Sequence, residues 1–200
     1  MIDFRLCLIT EGQDTQRLRE ALQGGLRAVQ LRAKGLNARE LLRRAKALRE
    51  LTASYGARLL VNDRADVALA AGADGVHLPS NGLPVEAVRR LAGRRLLVGA
   101  SVHSLLEAQE AARQGADFLL FGPVFPTPAK RTLLAQPQGL VRLAHVAPRV
   151  PVPLLAVGGI NRENVHQVLQ AGAYGVALIR GILEAGDIRE ETRKLQRILQ

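Results

Sequence analysis

The stretch Ala71-Gly72-Ala73-Asp74-Gly75-Val76-His77-Leu78 decides the fold, because it returns in part as Gly115-Ala116-Asp117-Phe118 and as Ala171-Gly172-Ala173-Tyr174-Gly175-Val176. Each copy ends a segment of helical period and opens a short apolar run. Its first glycine suits a left-handed helix cap, and its small residues let helix and strand pack closely. Working outward, eight short runs read as strands: Phe4 to Ile9, Ala28 to Arg32, Arg58 to Asn62, Gly75 to Leu78, Leu96 to Ala100, Phe118 to Gly122, Pro153 to Val157 and Gly175 to Ile179. Helical patterns lie between them, among them Ala38 to Ser54, Leu83 to Ala92, Leu105 to Gln114, Arg162 to Gln170 and a closing Ile188 to Leu199. This alternation is that of a parallel sheet wrapped by helices. Eight such units, with no nucleotide-type glycine turn after the first strand, favour a closed (β/α)8 TIM barrel over an open doubly wound sheet, as one domain over residues 1–200.

Two hundred residues suffice for one sizeable core, and although 48% of them are apolar, no run approaches a membrane span. The start Met1-Ile2-Asp3-Phe4-Arg5 lacks the pattern of a secretory signal, so cytoplasmic residence is expected. Cys7 is the only cysteine and excludes an intrachain disulfide or a multi-cysteine metal site. The formal charge of +10 comes chiefly from arginines spread over helices, as in Arg39, Arg43, Arg44 and Arg49. With 3% aromatic residues and no Trp there is nothing to stack bases, so neither nucleic acid nor membrane is an expected partner. A positive field still draws in small polyanions.

In such a barrel the chemistry sits where strands end at their C-terminal side. That filter isolates Gln30-Leu31-Arg32-Ala33-Lys34, Asn62-Asp63-Arg64, His77-Leu78-Pro79-Ser80, Ser101-Val102-His103, the loop from Gly122 through Thr127 to Lys130, and Gly158-Gly159-Ile160-Asn161. Alternation puts Gln30, Arg32 and Lys34 on one face if the strand continues, aiming a carboxamide and two cations at an anion; for Arg32 the competing account is a structural pair with Asp63. The proline-braced Lys130 loop suits a flap, or simply an exposed lysine. Gly158-Gly159 and the segment Arg180-Gly181-Ile182 suit a phosphate cradle of backbone N–H groups, although a tight turn alone also wants both glycines. Asp63 is the one carboxylate well placed for a metal, and the histidines have no ligand spacing. His77 and His103 are the candidate acid/base residues, or else structural; His145 and His166 fall on helices.

These motifs, in this order over essentially the whole chain, resemble the family that contains thiamine phosphate synthase and the TenI-type thiazole tautomerases. They are Gln30 to Lys34, Val61-Asn62-Asp63-Arg64, Ala73 to Leu78, Gly122 to Thr127 with Lys130, and Ala156-Val157-Gly158-Gly159-Ile160. The resemblance implies a (β/α)8 barrel, a homodimer, and a small phosphorylated thiazole as ligand. In the synthase branch a pyrimidine pyrophosphate ionises and the thiazole nitrogen captures the cation, with magnesium as cofactor. The resemblance then puts Gln30, Arg32, Lys34, Asn62 and Lys130 on pyrophosphate, Asp63 on magnesium, Ser101 and Thr127 near substrate, and Gly159 with the loop after strand eight on the thiazole phosphate.

One departure bears on the branch. Synthases typically follow the Val-His-Leu motif with Gly-Gln-Glu-Asp, whose Asp is a second magnesium ligand; here the run is Pro79-Ser80-Asn81-Gly82. The missing carboxylate, with Leu78-Pro79-Ser80 and Ser101 to Leu105, resembles the tautomerase branch. A cofactor-free thiazole tautomerase, an isomerase with His77 or His103 moving the proton, is therefore the first expectation. A magnesium-dependent synthase is the second, and a catalytically silent binding or regulatory protein the third. The histidine that tautomerases can carry after the strand-six glycine is Pro123 here.

Overall fold

The computed structural model describes residues 2–126 and 136–200. Eight parallel strands close into a barrel in sequence order: β1 (Leu6–Thr10), β2 (Ala28–Leu31), β3 (Arg58–Asn62), β4 (Gly75–Leu78), β5 (Leu97–Val102), β6 (Phe118–Phe121), β7 (Leu154–Val157) and β8 (Gly175–Leu178), with β8 pairing β1. The helices are α1 (Thr15–Gln23), α2 (Ala38–Ser54), α3 (Ala65–Ala70), α4 (Val85–Ala92), α5 (Leu105–Arg113), α6 (Gly139–Val146), α7 (Val165–Gln170), α8 (Arg180–Leu183) and α9 (Ile188–Ile198). The (β/α)8 barrel expected from the repeat is what forms. Among the described residues, no helix is long and apolar enough to cross a membrane.

The strand ends differ from expectation by one or two residues: β1 starts at Leu6 rather than Phe4, and β5 runs on to Val102. The repeat has a physical task at the N-terminal rim. The backbone N–H groups of Asp74, Asp117 and Tyr174 donate to the carbonyls of Leu59, Val98 and Leu154, each on the strand before. The carboxylates of Asp74 and Asp117 then accept the N–H of Leu59 (2.8 Å) and of Val98 (2.7 Å). Arginines complete both: Arg49 and Arg58 on Asp74, Arg89 on Asp117. In the third copy Tyr174 accepts from Arg5 through its backbone carbonyl, and the guanidinium lies over its ring. Arg5, Arg49, Arg58 and Arg89 thus serve the rim opposite the strand C-termini.

Strand alternation sorts the core into two parts. Outward residues such as Leu59, Val61, Val76, Leu119 and Ala156 pack under the helices, while inward Cys7, Ile9, Ala28, Leu60, Phe118, Leu120, Leu155 and Ala177 fill the barrel. Burial pushes the Cys7 thiol up to about 12, which makes it an inert core residue, as its sequence context suggests. Phe118 fills the space that Gly99 leaves, since a Cβ at Gly99 would lie 2.2 Å from the ring. We therefore expect Gly99→Ala to cost about 1–3 kcal/mol by overpacking, with Phe118→Leu in the same chain recovering part of it. Urea denaturation of the three proteins checks this, and an undiminished Gly99→Ala midpoint would contradict the packing described.

Candidate active site at the C-terminal mouth of the barrel

Continuing each strand's inward positions to its C-terminal end places Gln30, Asn62, His77 and Ser101 inside one mouth, on four adjacent strands. Asn62 and His77 are register partners, and His77 joins its neighbours: Nδ1 faces Asn62 Oδ1 at 3.5 Å and Nε2 faces Ser101 Oγ at 3.1 Å. With the Asn62 carbonyl oxygen on Nδ1, the proton sits on Nδ1 and Nε2 accepts the Ser101 hydroxyl. Gln30 is fully buried, yet neither its amide nitrogen nor its oxygen has a hydrogen-bond partner among the described residues. A buried amide left unpaired costs roughly 1–3 kcal/mol, so this side chain awaits a polar partner from outside the described chain.

Arg32 extends the inward series by one residue, its N–H donating to Thr10 O at 2.8 Å. It makes no ion pair among the described residues, so the alternative in which Arg32 merely pairs with Asp63 is not realised. Lys34 departs from expectation: β2 ends at Leu31, and Lys34 lies in an exposed turn rather than on the face shared by Gln30 and Arg32. Thr127 and Lys130 lie outside the described residues.

His77 is held neutral. Burial, and then the Arg32 charge, push its pKa down to about 3. A group so depressed is not a proton donor near neutral pH; it orients Asn62 and Ser101. His103, just beyond β5, turns its ring toward the exit of β6, where Nδ1 donates to Gly122 O at 2.6 Å.

Asp63, at the tip of β3, is the one non-glycine residue of left-handed φ (69°) among those described, a conformation aspartate tolerates at modest cost. A Cβ at Gly82 would sit 2.8 Å from Asp63 Oδ1, so the loop after β4 packs its backbone on that carboxylate. No group of three metal-binding side chains occurs among the described residues. A single exposed carboxylate still fits magnesium, which is commonly held by one or two carboxylates with substrate phosphates and water.

Gly158 (φ 100°) and Gly159 (φ 65°) do need glycine, for a reason not visible in the sequence: a Cβ at Gly158 would meet Pro123 Cβ at 2.5 Å, and one at Gly159 would meet Phe125 Cβ at 2.7 Å. The close approach is to the loop after β6. Asn164, not singled out from the sequence, braces this turn by donating to Gly159 O (3.0 Å) and accepting from Asn161 N (2.9 Å); the Asn161-x-x-Asn164 spacing before a helix was the available signal. Arg180 opens α8, and Gly181 lies against Ile160 O, so the loops after β7 and β8 adjoin. A cleft of about 350 Å³ at the opposite rim, lined by Asp3, Arg58, Asp74, Arg94 and Arg95, is occupied by the Arg58 pairs with Asp3 and Asp74 and reads as structural.

Against known proteins, residues 6–182 match the family model described as thiamine monophosphate synthase. The chain belongs to this family. It is 48% identical over 204 residues to a putative thiamine-phosphate synthase of Geobacter sulfurreducens, covering 99% of this chain and 95% of that one. It is 42% identical over 200 residues to the thiamine-phosphate synthase of Pyrococcus furiosus, covering 98% and 95%. The solved thiamine phosphate pyrophosphorylase of Pyrococcus furiosus superposes with a TM-score of 0.89 at 41% identity, over 98% of this chain and 95% of that one. A 3-hexulose-6-phosphate synthase, at 19% identity and a TM-score of 0.73, shares the fold alone.

These relatives overturn the tautomerase expectation and with it the isomerase class. The departure at Gly82 is outweighed by similarity to synthases over nearly the whole chain. The acid/base assignment of His77 and His103 falls with the tautomerase.

The neutral state of His77 gives a stability signature. Its unfolded pKa is about 6.5, and its folded value is about 3. Below pH 6.5 the unfolded chain therefore takes up a proton that the folded chain refuses. The contribution is complete above pH 6.5 and falls by up to about 1.4 kcal/mol per pH unit as the pH drops toward 3. The stability gap between wild type and His77→Gln should narrow steadily between pH 6.5 and 4.5 in urea titrations. A gap independent of pH would mean that His77 is not held neutral.

Proposed function

We propose that this protein is a magnesium-dependent thiamine-phosphate synthase, a transferase that joins a pyrimidine pyrophosphate to a thiazole phosphate. The observation that carries it is the mouth set Gln30, Arg32, Asn62 and Ser101, in a chain similar over nearly its whole length to synthases. The bond between the pyrimidine's exocyclic methylene and the pyrophosphate oxygen breaks, and the leaving group takes both electrons. The thiazole nitrogen lone pair then forms the new C–N bond. No proton need move, which agrees with a site whose buried histidine is neutral.

Arg32, half-buried and without an ion-pair partner among the described residues, suits the charge that grows on the departing pyrophosphate, where preorganised donors act most strongly. Lys34 and Lys130 are proposed to add to it. Gln30 fits a different task from the one the resemblance gives it. It is neutral, lies deeper than Arg32, and offers a donor and an acceptor side by side, the pattern that pairs with an amino group next to a ring nitrogen, as carboxamides do with adenine. We place it on the aminopyrimidine ring rather than on the anion. Ser101 and Asn62, oriented by His77, line the same mouth. The thiazole phosphate is proposed to sit between the loops after β7 and β8, at Gly159 and the amides near Arg180 and Gly181. Magnesium, when bound, would be held by Asp63 with pyrophosphate oxygens and water, and supplies neutralisation of the leaving group. Small phosphorylated substrates are charged metabolites of the cytoplasm, where we place the protein; a homodimer is the assembly the resemblance implies.

Purified protein given both substrates and magnesium should form thiamine phosphate and one equivalent of pyrophosphate. Arg32→Ala should lower kcat by about 10²- to 10³-fold, and Asp63→Asn should raise the magnesium concentration needed for half-maximal rate. Absence of pyrophosphate release by the wild type would sink the proposal.

A further inference from the structure

We infer that His103 is a positioning residue that fixes the loop after β6 and, through it, the glycine turn after β7; the catalytic part of this inference rests on the function proposed above. The β5–β6 ladder ends at the pair Val102–Phe121. Beyond it, among the described residues, the hydrogen bond from His103 Nδ1 to Gly122 O (2.6 Å) is what joins the two strand exits. His103 is itself held from behind. Its backbone N–H donates to Glu107 Oε2 at 2.7 Å, and Glu107 N donates to Ser104 Oγ, which caps α5. The ring is thus presented from a fixed backbone.

The other side of the same loop is tied to β7. Val124 N donates to Val157 O (2.9 Å) and Phe125 N to Gly158 O (3.0 Å). There is no slack across this contact, since a Cβ on Gly122 would stand 2.1 Å from Val157 O, and Cβ atoms on Gly158 or Gly159 would run into Pro123, Phe125 and Pro126. A shift of Gly122 is therefore passed to Gly158 and Gly159, and a phosphate site tolerates displacements of only about half an ångström. A carbonyl can only accept, so Nδ1 carries a proton whether the ring is neutral or charged. The clamp does not depend on ring charge, and His103 acts on geometry rather than by proton transfer.

Two substitutions separate these roles. His103→Phe keeps a ring of similar shape and removes the donor; His103→Asn keeps a donor near the Nδ1 position and removes all titration. His103→Phe should raise the KM for thiazole phosphate about 3- to 10-fold, the scale of one lost hydrogen bond, with a smaller effect on kcat. His103→Asn should restore the KM and leave the pH profile of kcat as in wild type. Independently of turnover, amide exchange at Val124 and Phe125 should quicken in His103→Phe and not in His103→Asn. If the wild type makes no thiamine phosphate, the proposed function fails while the exchange measurement still decides the clamp. Unchanged exchange in His103→Phe, or an Asn variant whose kcat collapses, would overturn the positioning role.

Discussion

Closure of the sheet is the constraint on which everything else depends. Once β8 pairs with β1, every strand must put alternate residues inside. The interior is then filled from the N-terminal side by apolar or absent side chains: Ala28, Leu60, Gly75, Gly99 and Phe118. The inward positions that remain, at the C-terminal ends of four adjacent strands, are Gln30, Asn62, His77 and Ser101. Their convergence is thus a consequence of parity and closure, and no loop has to carry them to one another. Loops add what strands cannot: the Asp63 carboxylate on a left-handed tip, and the glycine turn packed beneath the loop after β6.

The electrostatics of the two rims differ in kind. At the N-terminal rim arginines are matched by the repeat's carboxylates, with Asp74 and Asp117 also holding strand N–H groups, so charge there stiffens the barrel's closed end. At the mouth Arg32 has no such partner among the described residues, and burial first, with the Arg32 charge second, keeps His77 neutral. A neutral histidine adds no charge to the mouth, and its two nitrogens face Asn62 and Ser101.

The fold was legible because the Gly-Ala-Asp copies mark the same helix-to-strand junction, and the structure gives their backbone the same hydrogen bond each time. Gln30, Arg32, Asn62, His77 and Ser101 were legible for the same reason, since alternation at strand ends follows from the period alone. What could not be read depended on contacts between segments distant in sequence. Lys34 was expected to continue a strand that in fact turns after Arg32. Gly158 and Gly159 were read as a place for phosphate or a tight turn, and their close packing on Pro123 and Phe125 of the loop after β6 was not foreseen. His103 was read as an acid/base candidate or a structural residue, and the partner that fixes its ring, Gly122 O, lies 19 residues on. The branch was misread at Gly82, where one absent carboxylate, with Leu78-Pro79-Ser80 and Ser101 to Leu105, outweighed the synthase-like Arg32, Lys34 and Asp63.

In the proposed reaction pyrophosphate departs from a mouth lined by Gln30, Arg32, Asn62 and Asp63. A crystal structure with magnesium, pyrophosphate and thiamine phosphate tests it most directly. The expected result is pyrophosphate against Arg32 and Asn62, a metal on Asp63, the pyrimidine edge on the Gln30 amide and the thiazole phosphate at Gly159 and the start of α8. Products bound at the opposite rim, among Arg58, Arg94 and Arg95, would contradict it.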